Sequence, residues 1–239
     1  MARSGRVSRR GRTPAEDKRP VRPQRYQYLF LIICEDEATE PAYFDSFLAL
    51  IPPKTIYLRV VGTGRDPLGV VEQAQLRRDE LQAEVGRGVD EVWVVFDKDD
   101  ADAEEGKITR FNQAEQLATR EQFKLAFSNE VFELWLLLHF TEVAATPPMS
   151  RRQVYEKLGE AIQQHDAYRE YQYNHQQAAG EEIVRIVQQA GNEELAIQRA
   201  EALLASHNNK TLLETNPSTR VHLLVRSLRS WIAYYGYQS

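Results

Sequence analysis

The chain is poor in cysteine, in methionine and in long apolar runs. Cys34 is the only cysteine among 239 residues, which excludes an internal disulfide and a multi-cysteine zinc site. No apolar stretch approaches the roughly 18 residues that span a bilayer, and no secretory signal peptide is visible. Among the five histidines, His165, His175 and His207 show no metal-ligand spacing. No Gly-x-x-x-x-Gly-Lys-Ser/Thr loop occurs, which excludes a P-loop nucleotide site of that form in this sequence. These absences point to a cytoplasmic, soluble protein without a membrane partner.

What is present is charge, unevenly spread. The formal net charge is −5. Residues 1–25 carry nine basic and two acidic side chains, a net of +7, which leaves −12 on the remaining chain. The arm is rich in Arg, Pro, Ser and Gly, and that composition predicts disorder. It is either a solubilising leader or an arm that contacts phosphate. A body this acidic repels nucleic acid unless metal, arm or partner offsets it.

Order is expected from Tyr26. Tyr26–Cys34 reads as a buried central strand, followed by Ile56–Val61, Glu91–Phe96 and Phe123–Phe127. Between them lie helical patterns: one capped by Thr39 and entered through Pro41, one from Asp66-Pro67 to Gly86, one near 111–120 and the very apolar Val131–Phe140. This alternation predicts an α/β layer with a mostly parallel sheet over residues 26–146. After Pro147-Pro148, Ser150 and Gln153 form a capping box. Helical patterns then cover 176–190, 193–206 and 218–234 with no strand, so residues 147–239 read as a helical C-terminal region packed on the sheet.

Two acidic clusters follow strands. Glu35-Asp36-Glu37 ends the first and Asp97-Lys98-Asp99-Asp100 the third. Carboxyl ends of strands are where open α/β sheets bind ligands. Several carboxylates at one edge repel each other, and a hard divalent cation, Mg²⁺ or Mn²⁺, is the natural compensation. Such a site suits phosphoryl chemistry. The bland alternative is that these acids only solvate turns.

Weaker candidates share the predicted edge. Ser128, Asn129 and Glu133 follow the fourth strand; Asn129 reads as a helix cap, and Glu133 as a buried ion pair or a further ligand. Gly62-Thr63-Gly64-Arg65 is an ordinary turn or a phosphate cradle. Ser206–Lys210 and Asn216–Arg220 either contact phosphate or cap the final helix. The tract Tyr168–His175 packs between helices or stacks on unpaired bases.

Four segments carry a family resemblance: Ile32-Ile33-Cys34-Glu35-Asp36-Glu37-Ala38-Thr39-Glu40-Pro41-Ala42-Tyr43-Phe44, Val92–Asp100, Ser128–Phe140 and Asn216–His222. Together they resemble the RloB-like family, which is similar to the Toprim domains of topoisomerases, primases and OLD-family nucleases. The resemblance implies a Toprim-like fold with a helical C-terminal extension. It gives Glu35 the acid/base role and Asp97 and Asp99 the Mg²⁺ role; beside that match, the acidic clusters themselves add Glu35, Asp100 and Glu133 as candidate ligands. Ser128, Asn129, Arg65, Lys98, Lys210 and Arg220 become candidates for nucleic-acid contact or support. It implies a nuclease effector of an abortive-infection defence system that cleaves DNA or RNA, tRNA included, beside an ABC/AAA-type ATPase. Both families place glycine where this chain has Asp36, which strains the turn, supplies a ligand, or marks a decayed, non-catalytic interaction subunit. A haloacid-dehalogenase-type phosphatase is a further alternative, since Asp97-Lys98-Asp99 also ends a strand, although Ala101 departs from that pattern.

Overall fold

A computed structural model describes residues 25–98, 105–175, 180–207 and 210–237. The basic arm, Arg25 excepted, lies outside them, as do Asp99 and Asp100.

Leu29 through Cys34 are fully buried, so β1 (Tyr28–Cys34) must lie inside the sheet with both faces covered. It pairs in parallel with β2 (Ile56–Gly62) on one side and β3 (Glu91–Asp97) on the other. β4 (Lys124–Asn129) extends the parallel array beside β3, and the strand order is β2-β1-β3-β4-β5. Successive side chains alternate between two cores. Phe30, Ile32, Cys34, Trp93 and Val95 face one; Leu31, Ile33, Val92, Val94 and Phe96 face the other.

The second core is closed by α2 (Pro67–Val85) and α3 (Glu105–Arg120) through Val70, Val71, Ala74, Phe111 and Ala114. The first takes α1 (Thr39–Asp45), α4 (Glu133–Leu138), α5 (Arg151–Gln163), α6 (Gly180–Ala190), α7 (Glu193–Ser206) and α8 (Val221–Gly236). Residues on both sides of Pro147 therefore share one core. Each fully buried large side chain contributes about 1.5–3 kcal/mol, against about 0–1 for an exposed ion pair, so these two layers hold the fold. The arrangement is the expected Toprim-like α/β architecture with a helical C-terminal extension.

Local signals set most boundaries. Asp66 accepts the Gly69 N–H at 3.1 Å with Pro67 beginning α2, and Gly86, at φ 74°, ends it. The Ser150–Gln153 capping box starts α5, and Asn192 caps α7.

Four expectations need correction. The last third does contain a strand: β5 (Ser218–Thr219) runs antiparallel to Ser128–Asn129, and α8 begins only at Val221. This short strand pairs backbone groups that β4 would otherwise leave at an open edge, and the Arg220 N–H adds a 2.7 Å bond to the Phe127 carbonyl. Thr39 does not cap α1; it is the first helical residue, and its N–H is taken by the Asp36 carboxylate. The apolar helix is shorter than 131–140, because its ends bond outside the helix. Asp97 takes the Phe132 N–H, and Arg199 and Asn192 donate to the Leu138 and His139 carbonyls. Conversely α3 is longer than expected: it is helical already at Glu105, the first described residue of that segment.

Candidate functional site

Strand order brings the acidic clusters together. β1 and β3 are neighbours with Cys34 opposite Val95, so Glu35 and Asp97 leave the same sheet edge side by side. The Asp97 N–H donates to Glu35 Oε2 at 2.9 Å. The Glu35 N–H in turn bonds the Val95 carbonyl at 3.0 Å. Asp97 Oδ2 accepts the Phe132 N–H at 2.7 Å, which ties the end of β3 to the start of α4. Both carboxylates are thus oriented by backbone.

The turn after β1 is braced from β2. Thr63 Oγ1 donates to the Cys34 carbonyl at 2.9 Å and the Gly64 N–H to the Glu35 carbonyl at 2.8 Å. A Cβ on Gly62 would stand 2.6 Å from the Asp36 carbonyl oxygen and 2.7 Å from Glu37 Cα, so the close approach requires glycine. The Gly62–Gly64 segment is therefore a prop for the Glu35 turn, and Arg65 beyond it is exposed.

Asp36 occupies its turn without the strain that a side chain there implied. Among the described residues Lys54 and Gln122 are the non-glycines at positive φ. The Asp36 carboxylate accepts the Glu37 and Thr39 N–H groups, and its own N–H donates to Glu40 Oε2 at 3.1 Å. It works as a cap for α1.

These residues line a cavity of about 210 Å³ together with Thr39, Glu40, Val131, Phe132, Glu133, Arg151, Tyr155 and His175. Glu40 is 1 % exposed. Burial first, then repulsion from Glu35 and Asp36, holds its carboxyl protonated well above the usual carboxylate range. The same burial and the nearby acids push the Cys34 thiol up, which makes it an inert core residue. Glu133 is buried at the far wall, where its Oε1 accepts the Tyr173 hydroxyl at 2.5 Å and lies 3.2 Å from His175 Nδ1. Burial and the Glu133 charge raise the Tyr173 phenol well above its ordinary value, so it stays a donor.

Other candidates lie elsewhere. Ser128 is fully buried and meets Thr219 Oγ1 at 3.1 Å, while Asn129 donates to the Leu212 and Leu213 carbonyls. Both fasten β4 to the C-terminal region, and neither lines the cavity. Lys98 is buried against Glu130 at 2.8 Å, and Asn216 donates to the same carboxylate oxygen. Lys210 Nζ stands 3.3 Å from His207 Nδ1. Arg220 is partly buried, which depresses its guanidinium. Sequence reasoning missed Glu40, Arg151 and Tyr155 as cavity residues. Glu40 carried a signal, an acid in the first turn of a helix whose next residues, Tyr43 and Phe44, are core.

The donors here are hard oxygens, the kind that suits Mg²⁺ or Mn²⁺. Among the described residues no group of three or more His, Cys, Asp or Glu side chains is arranged to hold a metal ion. Glu35 and Asp97 supply two adjacent carboxylates; Asp99 and Asp100 are outside the described residues. A larger cleft, about 570 Å³, runs between the Phe140–Met149 loop and α5 and shares no lining residue with the carboxylate cavity.

No curated protein and no solved structure matches the chain. No helix among the described residues is long and apolar enough to cross a membrane. The family model of the RloB-like proteins matches residues 30–228, and over that length it takes in both sheet-end clusters, the apolar α4 and the Asn216–His222 turn. The chain belongs to the RloB-like protein family.

Proposed function

We propose that the protein is a Mg²⁺- or Mn²⁺-dependent Toprim-type nuclease. In this reading it is the effector subunit of an anti-phage, abortive-infection system, and an ABC/AAA-type ATPase on another chain supplies the trigger. The observation that carries it is the pairing of Glu35 with the Asp97 backbone at the carboxyl ends of two adjacent central strands.

The donor set fits a hard divalent cation in kind. Asp97 and Asp99 would hold it, with Glu35 beside them and Asp100 and Glu133 as further ligands. When bound, the ion neutralises phosphate charge and lowers the pKa of a coordinated water. The protein's own contribution is to aim and to supply protons. The Asp97 N–H orients the Glu35 carboxylate for general acid/base work. Burial raises the Glu40 carboxyl well above the usual carboxylate range, which favours its neutral form and lessens the negative charge beside Glu35. The Asp36 carboxylate accepts the Glu37 and Thr39 N–H groups, which supports reading Asp36 as a residue the turn accommodates in place of glycine.

The test is incubation with plasmid DNA and with total RNA, in Mg²⁺ or Mn²⁺, with and without the ATPase encoded beside it. Cutting is expected to need metal and to disappear in Glu35→Gln and Asp97→Asn proteins that melt normally. Cutting that persists in those variants would falsify the proposal. A covalent phosphoryl group on Asp97 would instead assign the phosphatase chemistry.

A further inference from the structure

We infer that the cavity takes unpaired nucleotides, so that the substrate is single-stranded nucleic acid, with Arg151 and the stacked Tyr155–His175 pair forming the wall that binds it. This rests on the nuclease reading and adds the substrate class.

The cavity has two chemically different sides. One is built from the carboxylates of the sheet edge and α1. The other comes from α5 and the segment before α6, and contributes Arg151, Tyr155 and His175. Arg151 is the sole lysine or arginine among the described lining residues, which otherwise carry the acids Glu35, Asp36, Glu40, Asp97 and Glu133. A guanidinium matches phosphate geometry through paired N–H groups, so this is the side toward which a phosphodiester turns its charge. Residues 151 and 155 are four apart on α5 and share a face.

The aromatic half of that wall is held for stacking. The Tyr155 and His175 rings lie 4.8 Å apart at 13°, nearly parallel. The bond from His175 Nδ1 to Glu133 fixes the imidazole in its plane, and Tyr173 braces the same carboxylate oxygen. Tyr168, Tyr171 and Tyr173 pack against the core, so most of that tract is structural. His175 differs, since its side chain is 53 % exposed. A nucleobase laid on it extends the stack by one ring, an interaction worth about 1–3 kcal/mol per base and indifferent to sequence.

Size favours the same substrate. A volume of 210 Å³ falls below the about 300–1,000 Å³ of ordinary ligand clefts. It admits a phosphate with one flat ring at its rim. In a duplex the bases are paired and stacked inward, so the ring is not available to the wall without unstacking.

The experiment measures binding. Full-length protein carrying Glu35→Gln, in Mg²⁺, is titrated against fluorescein-labelled single strands of about 12 nucleotides, DNA and RNA, and against the matching duplexes. Fluorescence anisotropy at 150 mM salt limits charge contacts from the basic arm, which do not distinguish strand number. Single strands of one or both sugars are expected to bind at least about fivefold more tightly than duplex. His175→Ala and Tyr155→Leu are expected to erase that preference, Tyr155→Phe to keep it, and Arg151→Ala to weaken every substrate. Thermal melting confirms folding, and His175→Ala, at an exposed position, carries the test if Tyr155→Leu does not fold. Equal affinity for single strand and duplex, or unchanged preference in His175→Ala, overturns the inference. Cleavage by the wild-type protein is read separately. Its absence alongside single-strand preference sinks the nuclease reading alone, and its presence alongside equal affinities sinks this inference alone.

Discussion

The Asp97 N–H donates to Glu35 Oε2 at 2.9 Å across a sequence separation of 62 residues, joining the ends of β1 and β3. Further contacts brace both ends of that bond. The Glu35 turn rests on β2, the Asp97 side chain holds the start of α4, and the helical C-terminal region closes the far wall.

The brace from β2 predicts a sensitive glycine. In Gly62→Ala the new methyl meets backbone atoms of Asp36 and Glu37 at 2.6 and 2.7 Å, and neither can swing aside as a side chain would. A stability loss of about 1–3 kcal/mol in urea denaturation is expected. Metal-dependent cleavage per folded molecule should fall as well, because the displaced turn carries Glu35. Wild-type stability in this variant would show that the turn yields freely.

Glu40 predicts an unusual pH response. Its carboxyl is raised in the folded protein above the ordinary 4.5, so between those values the folded state holds a proton that the unfolded state has released. Stability from this group is therefore fully present below pH 4.5 and is lost as pH rises through the folded value. Glu40→Gln keeps an oxygen for the Asp36 N–H and removes the ionisation. In metal-free buffer its melting temperature is expected to exceed wild type by a margin that widens with rising pH. A constant margin would contradict the assignment.

His139 works in the opposite direction. Burial, and then the nearby Arg199, pushes its pKa down to about 3, so it is neutral in the fold and protonates in the unfolded chain below 6.5. Stability is lost as pH falls from 6.5 toward 3. His139→Gln is expected to be less stable at pH 7 but to show a shallower decline between pH 6.5 and 5 in thermal melts. Part of the slope remains, since His222 is depressed by burial in the same way.

At the other end of β3, Glu91 is buried and accepts from Tyr28, Trp93, Lys124, Ser227 and Trp231. It ties three strands to the last helix. Glu91→Ala strands the buried Trp93 indole N–H and the part-buried Tyr28, Ser227 and Trp231 donors, and should cost about 3 kcal/mol in urea denaturation. Cleavage by the folded fraction should be unchanged at low temperature, because Glu91 begins the strand that Asp97 ends. An early loss of cleavage in fully folded protein would contradict this division.

The sequence by itself determined the four parallel strands, most helices and the acidic residues at the strand ends, but not the short β5. Those features are written in short-range chemistry: the unbroken apolar run of β1, the Asp66-Pro67 start and Gly86 stop of α2, the Ser150 capping box. Only the tertiary structure decided that Glu35 and Asp97 meet, because their convergence depends on β1 and β3 being neighbours, and strand order leaves no local trace. It also separated acids of similar appearance. The Asp36 carboxylate is taken locally, by the Glu37 and Thr39 N–H groups, whereas Glu40 became a buried neutral carboxyl and Glu133 the anchor of Tyr173 and His175. Those last two fates depend on burial and on bonds from residues as far as 42 positions away, and no pattern within a few turns of chain encodes that.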